Sequence, residues 1–185
     1  EVVRMLVPAA GDVNDAAPDD MTPLILAITK HHEELALFLI EKGASASAPG
    51  PGFNALHAAA ATSQMDVAKA LLSRGADPNA PLAMPLRLAA AFIPYNPELV
   101  TGRLSLVGAT PFMLAAKSVD TQMMRLLLEA GANPLKTAND GTNALIVAAG
   151  LGKRSSTDMF KFIRYYTWDE TRAIEAIKLC LQLGF

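Results

Sequence analysis

The side chains that most often perform catalysis or bind metals are few in this chain, and they are poorly placed for either task. Its 185 residues include three histidines (His31, His32 and His57) and a single cysteine, Cys180. His31 and His32 are adjacent, and side chains one residue apart do not share a face. Neither stands at ligand spacing from a cysteine or a carboxylate. We therefore expect no metal site.

One short stretch could suggest phosphate chemistry. Residues 150–156 read GLGKRSS, but a phosphate-binding loop follows a strand and needs the spacing G-x-x-x-x-G-K-[ST]. This stretch lacks that spacing and follows a helical phrase. No nucleophile stands beside a base elsewhere, and the setting AIKLCLQL predicts that Cys180 is a buried structural residue. We therefore expect no enzymatic activity and no cofactor.

The strongest signal in the sequence is a repeated phrase. Residues 71–79 read LLSRGADPN and residues 126–134 read LLLEAGANP, and weaker copies occur nearer both ends. The copies align on five glycines, which are Gly11, Gly43, Gly75, Gly131 and Gly184. The first two intervals are 32 residues and the next two are 56 and 53. A period near 33 is typical of repeat proteins, so the long intervals indicate insertions of roughly 23 and 20 residues.

A second phrase runs in step with the first. It reads MTPLILAI at 21–28, FNALHAAA at 53–60, ATPFMLAA at 109–116 and TNALIVAA at 142–149. Each copy carries Thr or Asn where a helix would begin, and these side chains can accept hydrogen bonds from the first turn. Proline follows the threonines, at the helical position that best tolerates it. Each unit is therefore predicted to be a helix, a short turn, a second helix ended by glycine and a hairpin-like connection.

These two linked phrases closely resemble the ankyrin repeat. The resemblance implies an all-α fold, a single domain over residues 1–185 built as a solenoid of helix-turn-helix units. We expect a partial unit at 1–16, units near 19–50, 51–80, 108–139 and 140–185, and insertions at 81–108 and 152–169. Ile25 and Met113 stand where the family usually has histidine. His57 keeps that histidine, which implies a structural hydrogen bond.

The two insertions differ in composition. The first contains four prolines, which argue against one continuous helix, and we expect a short helical turn followed by an extended return. The second holds five of the eleven aromatic residues of the chain, interleaved with lysine and arginine. Aromatic residues and arginine are enriched at binding hot spots. A local minicore that pins the loop to the stack, or an extended second helix, would explain the same composition.

The resemblance implies a protein that binds other proteins through a concave surface floored by the first helix of each unit. The insertions should bracket that floor from opposite sides and deepen it. The candidate contact residues are Arg87, Phe92, Tyr95, Arg103, Met113, Lys117, Phe160, Phe162, Arg164, Tyr165, Tyr166 and Trp168. The alternative is a structural or regulatory subunit or domain of a larger enzyme or transport assembly.

Composition and charge narrow the partner class. The chain is 51% apolar but has no apolar run of 18 residues, so we expect no transmembrane segment and a soluble protein. Residues 1–66 carry a net charge of −6 and the remainder +4. The basic residues are scattered rather than concentrated on one face, so we expect no nucleic-acid partner.

The two ends lack the polar caps that protect a solenoid, and the sequence opens at Glu1. We therefore expect part of a longer array, with neighbouring subunits of an assembly as another way to cover the ends. The style of the units resembles bacterial proteins with irregular inserts, which leaves the cytoplasm, the periplasm and export open.

Overall fold

The computed structural model describes residues 12–17, 20–48, 50, 52–83, 106–150 and 169–185. Within these ranges the regular elements are eight helices in four consecutive pairs, and no strand occurs. The pairs are α1 (Pro23–Thr29) with α2 (Glu33–Glu41), α3 (Ala55–Ala61) with α4 (Met65–Ser73), α5 (Pro111–Lys117) with α6 (Thr121–Glu129), and α7 (Ala144–Ala148) with α8 (Glu170–Gln182). The prediction of an all-α solenoid of helix-turn-helix units is confirmed.

The first helix of each pair begins at the predicted cap. The Thr22 hydroxyl accepts from the Ile25 N–H (3.2 Å), and the Asn54 carbonyl oxygen Oδ1 accepts from the His57 N–H (3.0 Å). Thr110 and Asn143 cap α5 and α7 in the same way. Each cap satisfies one backbone donor that has no partner inside the helix, so the repeated phrase fixes where each unit starts.

The second helices end at the repeated glycine. Gly43, Gly75, Gly131 and Gly184 have φ values between 85° and 94°. This left-handed conformation costs glycine little and other residues more. The recurring glycine therefore turns the chain out of each second helix at the same point of the unit.

The helices form two rows. Each first helix packs on the next first helix, from α1 through α3 and α5 to α7, and each contacts the second helix of its own unit. Small residues make the first row tight, because Ala58, Ala59 and Ala60 have no exposed surface. Larger side chains such as Leu71 and Leu127 fill the space behind them and are also fully buried. The core therefore runs continuously from unit to unit.

The turns inside the first three units are three residues long and share one geometry. Their middle residues, His31, Ser63 and Val119, all have positive φ, between 50° and 58°. Side chains in these turns also join one unit to the next. The Gln64 amide Nε2 donates to the Ile28 carbonyl (2.6 Å), and the Ser118 hydroxyl donates to the Ala61 carbonyl (3.0 Å).

Two further observations concern the ends of the chain and the membrane. Only residues 12–17 of the N-terminal segment are described, and there the Asn14 side-chain oxygen accepts from the Ser45 N–H (2.7 Å). This contact ties the partial unit to the first full one. Among the described helices, none has the length and apolar character needed to cross a membrane.

Candidate binding surface

The first insertion leaves the stack from a hairpin turn whose two sides are bonded together. The Leu82 N–H donates to the Ala109 carbonyl (2.8 Å), and the Gly108 N–H donates to the Leu82 carbonyl (2.6 Å). Gly108 has a φ of 86°, and a side chain there would strike Asn139. The two ends of the insertion are therefore held side by side, directly before the cap of α5.

The next hairpin turn along the chain shows what this turn would be without the insertion. The Ala138 N–H donates to the Thr142 carbonyl (2.8 Å), and the Gly141 N–H donates to the Ala138 carbonyl (3.0 Å). Gly141 has a φ of 80°, close to that of Gly108. Both turns thus have the same bonds and the same glycine. Residues 83–105 are the additional ones, inserted into a turn that is otherwise complete.

The base of the first insertion is also bonded to the hairpin turns on either side. The Ala83 N–H donates to the Gly52 carbonyl (2.9 Å), and the Asn139 N–H donates to the Val107 carbonyl (2.9 Å). The row of turns is therefore unbroken where the insertion departs.

Asn79 joins the unit before the first insertion to the unit after it. Its Nδ2 donates to the Gly131 carbonyl (2.9 Å), and its Oδ1 accepts from the Asn133 N–H (2.7 Å). The Lys136 ammonium donates to the Asn79 carbonyl (3.2 Å). Sequence reasoning overlooked this bridge, although its signal was present, because Asn79 and Asn133 lie in the repeated phrases GADPN and GANP.

The second insertion begins inside a first helix. α7 has five residues, whereas the other three first helices have seven. It stops at Ala148, and Gly150 turns the chain away with a φ of 88°. The chain rejoins the stack at Asp169, whose carboxylate caps α8 by accepting from the Arg172 N–H (3.2 Å). Asp120 caps α6 in the same way, so the rejoining point is that of an ordinary unit.

The two departure points lie at opposite ends of neighbouring first helices. The first insertion returns to the stack at the N-terminal end of α5, and the second leaves at the C-terminal end of α7. α5 and α7 pack against each other. A seven-residue helix spans about 10 Å, so the departure points are separated by about the length of the first-helix row.

Most of the candidate contact residues lie outside the described residues. These are Arg87, Phe92, Tyr95 and Arg103 in the first insertion and Phe160, Phe162, Arg164, Tyr165, Tyr166 and Trp168 in the second. Their roles stay predictions. The shape expected for the first insertion and the minicore expected in the second fall in the same ranges. The alternative of an extended second helix has support, because α8 has 13 residues against nine in α6.

The two described candidates have different environments. Met113 has no exposed surface, as is nearly true of its equivalents Ile25 and His57. A partner could not touch Met113 without displacing the core, so we remove it from the candidate surface. Lys117, the last residue of α5, is half-buried. This partial burial lowers the pKa of its ammonium below the ordinary value.

His57 has the structural role that the resemblance implied. Its Nε2 donates to the Ala80 carbonyl (3.0 Å), which leaves Nδ1 to accept from the Asn54 N–H (3.3 Å). Burial lowers the pKa of His57 to about 4, although its bonds to the carbonyls of Ala109 and Ala80 act in the opposite direction. The neutral ring thus holds the start of α3 against the hairpin turn that carries the first insertion.

Chemistry has little material in the described part of the chain. No group of three or more His, Cys, Asp or Glu side chains there could hold a metal ion. Cys180 is fully buried in α8, and burial raises the pKa of its thiol to about 11. A thiol in this state is a poor nucleophile, as its sequence setting predicted.

Comparison with known proteins agrees with the architecture. A family model of ankyrin repeats in three copies matches residues 1–81, and a model of the single ankyrin repeat matches residues 107–139. The two ranges together span more than half of the chain, and the gap between them contains the first insertion. No curated protein matches the chain. The chain belongs to the ankyrin-repeat family.

Proposed function

We propose that this chain is a non-catalytic scaffold that binds one protein partner in the groove between its two insertions. Ankyrin repeats are generally protein–protein interaction modules. A stack whose units contact only their neighbours presents a long rigid surface, and inserted segments can decorate it without altering the core.

The placement of the insertions is the observation that carries this proposal. One emerges beside the cap of α5 and the other beyond the last turn of α7, on helices that are neighbours in the row. Segments at those two points flank the surface of the first helices between them. A partner lying on that surface would therefore meet both insertions.

Composition supports the same proposal. The second insertion brings Phe160, Phe162, Tyr165, Tyr166 and Trp168 together with Arg164. Large aromatic side chains and arginine give the most binding free energy per residue at protein interfaces. The first insertion contributes Arg87, Phe92, Tyr95 and Arg103 from the opposite side.

The structure indicates where each insertion can be removed. Deleting residues 83–105 joins Leu82 to Leu106 and recreates the bonding of the turn at 138–142. Deleting residues 153–168 joins Gly152 to Asp169 and places that cap ten residues after Asn143, the same spacing as between Thr110 and Asp120. Both variants keep every described helix.

The test is a pull-down from cells of the natural source with the whole chain, the two deletion variants and the Tyr166→Ala/Trp168→Ala variant. Circular dichroism checks that each bait is folded. We expect one partner captured by the whole chain and lost from the folded variants that lack the second insertion or its two aromatic residues. Capture by every folded variant would contradict a role for the insertions.

A second function has support from the C-terminal helix. Leu181 and Ile174 on α8 are 55% and 44% exposed. Ile40 is only 3% exposed at the position of α2 that corresponds to Leu181, because the following unit covers it. This uncovered face favours a structural or regulatory role in which a neighbouring subunit of a larger assembly covers α8. Recovery of a stable complex that is lost on Leu181→Asp, but kept when both insertions are deleted, would favour that role.

A further inference from the structure

Lys117 occupies a distinctive place on the surface of the first helices. It is the last residue of α5, and the corresponding residues of α1 and α3 are Thr29 and Ala61. The far edge of the surface is therefore uncharged at these positions in the first two units and cationic in the third. α5 is also the helix whose N-terminal end meets the first insertion, and its neighbour α7 carries the second.

The Lys117 ammonium has no anionic partner in the described part of the chain. Within those ranges, the salt bridge that forms is between Lys69 and Asp66 on the exposed side of α4. Asp120, the nearest acid along the chain, uses its carboxylate to accept from the Met123 N–H. Partial burial has already removed part of the hydration of Lys117, and its lowered pKa reflects that loss without an offsetting acid. A charge in this state is stabilised when a carboxylate comes within reach.

Neighbouring groups can complete such a site without competing for the ammonium. The Ser118 hydroxyl donates to the Ala61 carbonyl, and the Thr62 hydroxyl donates to the Ala58 carbonyl (2.7 Å). These bonds fix the ends of α3 and α5 side by side. They leave Lys117 at the edge of a rigid floor.

We propose that Lys117 is the site at which the groove recognises an acidic side chain, aspartate or glutamate, of the protein partner. This inference rests on the proposed function and specifies the partner: it presents a carboxylate that enters the groove beside the second insertion. The partly dehydrated ammonium forms a stronger charge-assisted hydrogen bond than a fully exposed lysine does.

The test selects a phage-displayed library of random peptides on the whole folded chain. We expect the enriched peptides to share one acidic position, and replacing that residue by its amide should weaken binding. Lys117→Gln should weaken binding of the same peptides by about tenfold or more. Lys117→Arg, which keeps the charge, should retain most of it. Lys178→Gln, an exposed lysine on α8, is the matched control and should bind as the whole chain does.

The outcomes separate this proposal from the proposed function. Peptides that bind the whole chain and the Lys117→Gln variant equally would overturn the carboxylate site and leave the groove standing as an interface. Loss of binding with Lys178→Gln instead would move recognition to α8 and overturn both. Enriched peptides without a shared acid would also overturn the carboxylate site, whatever the pull-down captures.

Discussion

At the scale of single residues, His57 makes the stability of the stack depend on pH. Its pKa is about 4 in the folded chain and about 6.5 when exposed, so unfolding takes up a proton between these values. The stability that His57 contributes is therefore complete above pH 6.5 and is lost as the pH falls toward 4. From pH 7.5 to pH 5 we expect a loss of about 2 kcal/mol from this residue.

Urea unfolding of the whole chain and of His57→Gln at both pH values measures this effect. The variant should be less stable at pH 7.5 and should lose about 2 kcal/mol less on acidification, whereas His32→Gln should behave as the unmodified chain does. An equal loss in the whole chain and in His57→Gln would mean that the Asn54 Oδ1, 2.8 Å from Nδ1, accepts a proton from the charged ring and offsets the cost of burial.

Ser63 offers a second test at this scale, because its backbone is left-handed. It is exposed, with a φ of 57°, a conformation that costs a residue other than glycine about 1 kcal/mol. We expect Ser63→Gly to raise the free energy of unfolding by about 0.5–1 kcal/mol. Ser73→Gly is the control, since Ser73 is helical in α4 and the same change there should destabilise by about 1 kcal/mol. Changes of the same sign at both sites would refute the explanation by backbone strain.

At the scale of elements, Asn79 connects the hairpin turns on either side of the first insertion. Its side chain donates to Gly131 and accepts from Asn133, so Asn79→Ala removes two hydrogen bonds between units while leaving the helices intact. We expect a loss of about 1–2 kcal/mol. The loss should appear as faster hydrogen exchange at residues 131–133, with α1 and α2 unaffected. Uniform acceleration over the whole chain would show that the bridge has no local role.

The helices, their caps and their order could be predicted from the sequence because each depends on residues within one turn of chain. Thr110 and Pro111 start a helix wherever they occur together, and Gly131 ends one. Other features depend on distant partners. The bonds between Leu82 and Ala109 join residues separated by the whole first insertion, and the short α7 depends on where the second insertion departs.

Met113 shows a different limit of prediction from the sequence. Its place on a first helix suggested a surface residue, but the direction of the side chain decides whether a residue faces the groove. Met113 points into the core, as His57 does, whereas Lys117 lies one turn further on at the edge of the surface. The repeat register identifies the helix, and packing against the neighbouring units identifies the face.

At the scale of the whole molecule, the account describes a regular ankyrin stack that carries two separable insertions. The stack is continuous beneath the first insertion because the hairpin turns stay bonded there. The second insertion begins and ends at positions that an ordinary unit also has. Function and stability should therefore reside in different parts of the chain, so that a variant can lose one and keep the other.

Thermal unfolding of the variant that lacks both residues 83–105 and residues 153–168, followed by circular dichroism, tests this central claim most directly. The account predicts a helical protein that unfolds in one cooperative transition, because every described helix, cap and hairpin bond is kept. A variant that has little helix, or that melts gradually without a transition, would contradict the account and show that the insertions are part of the core.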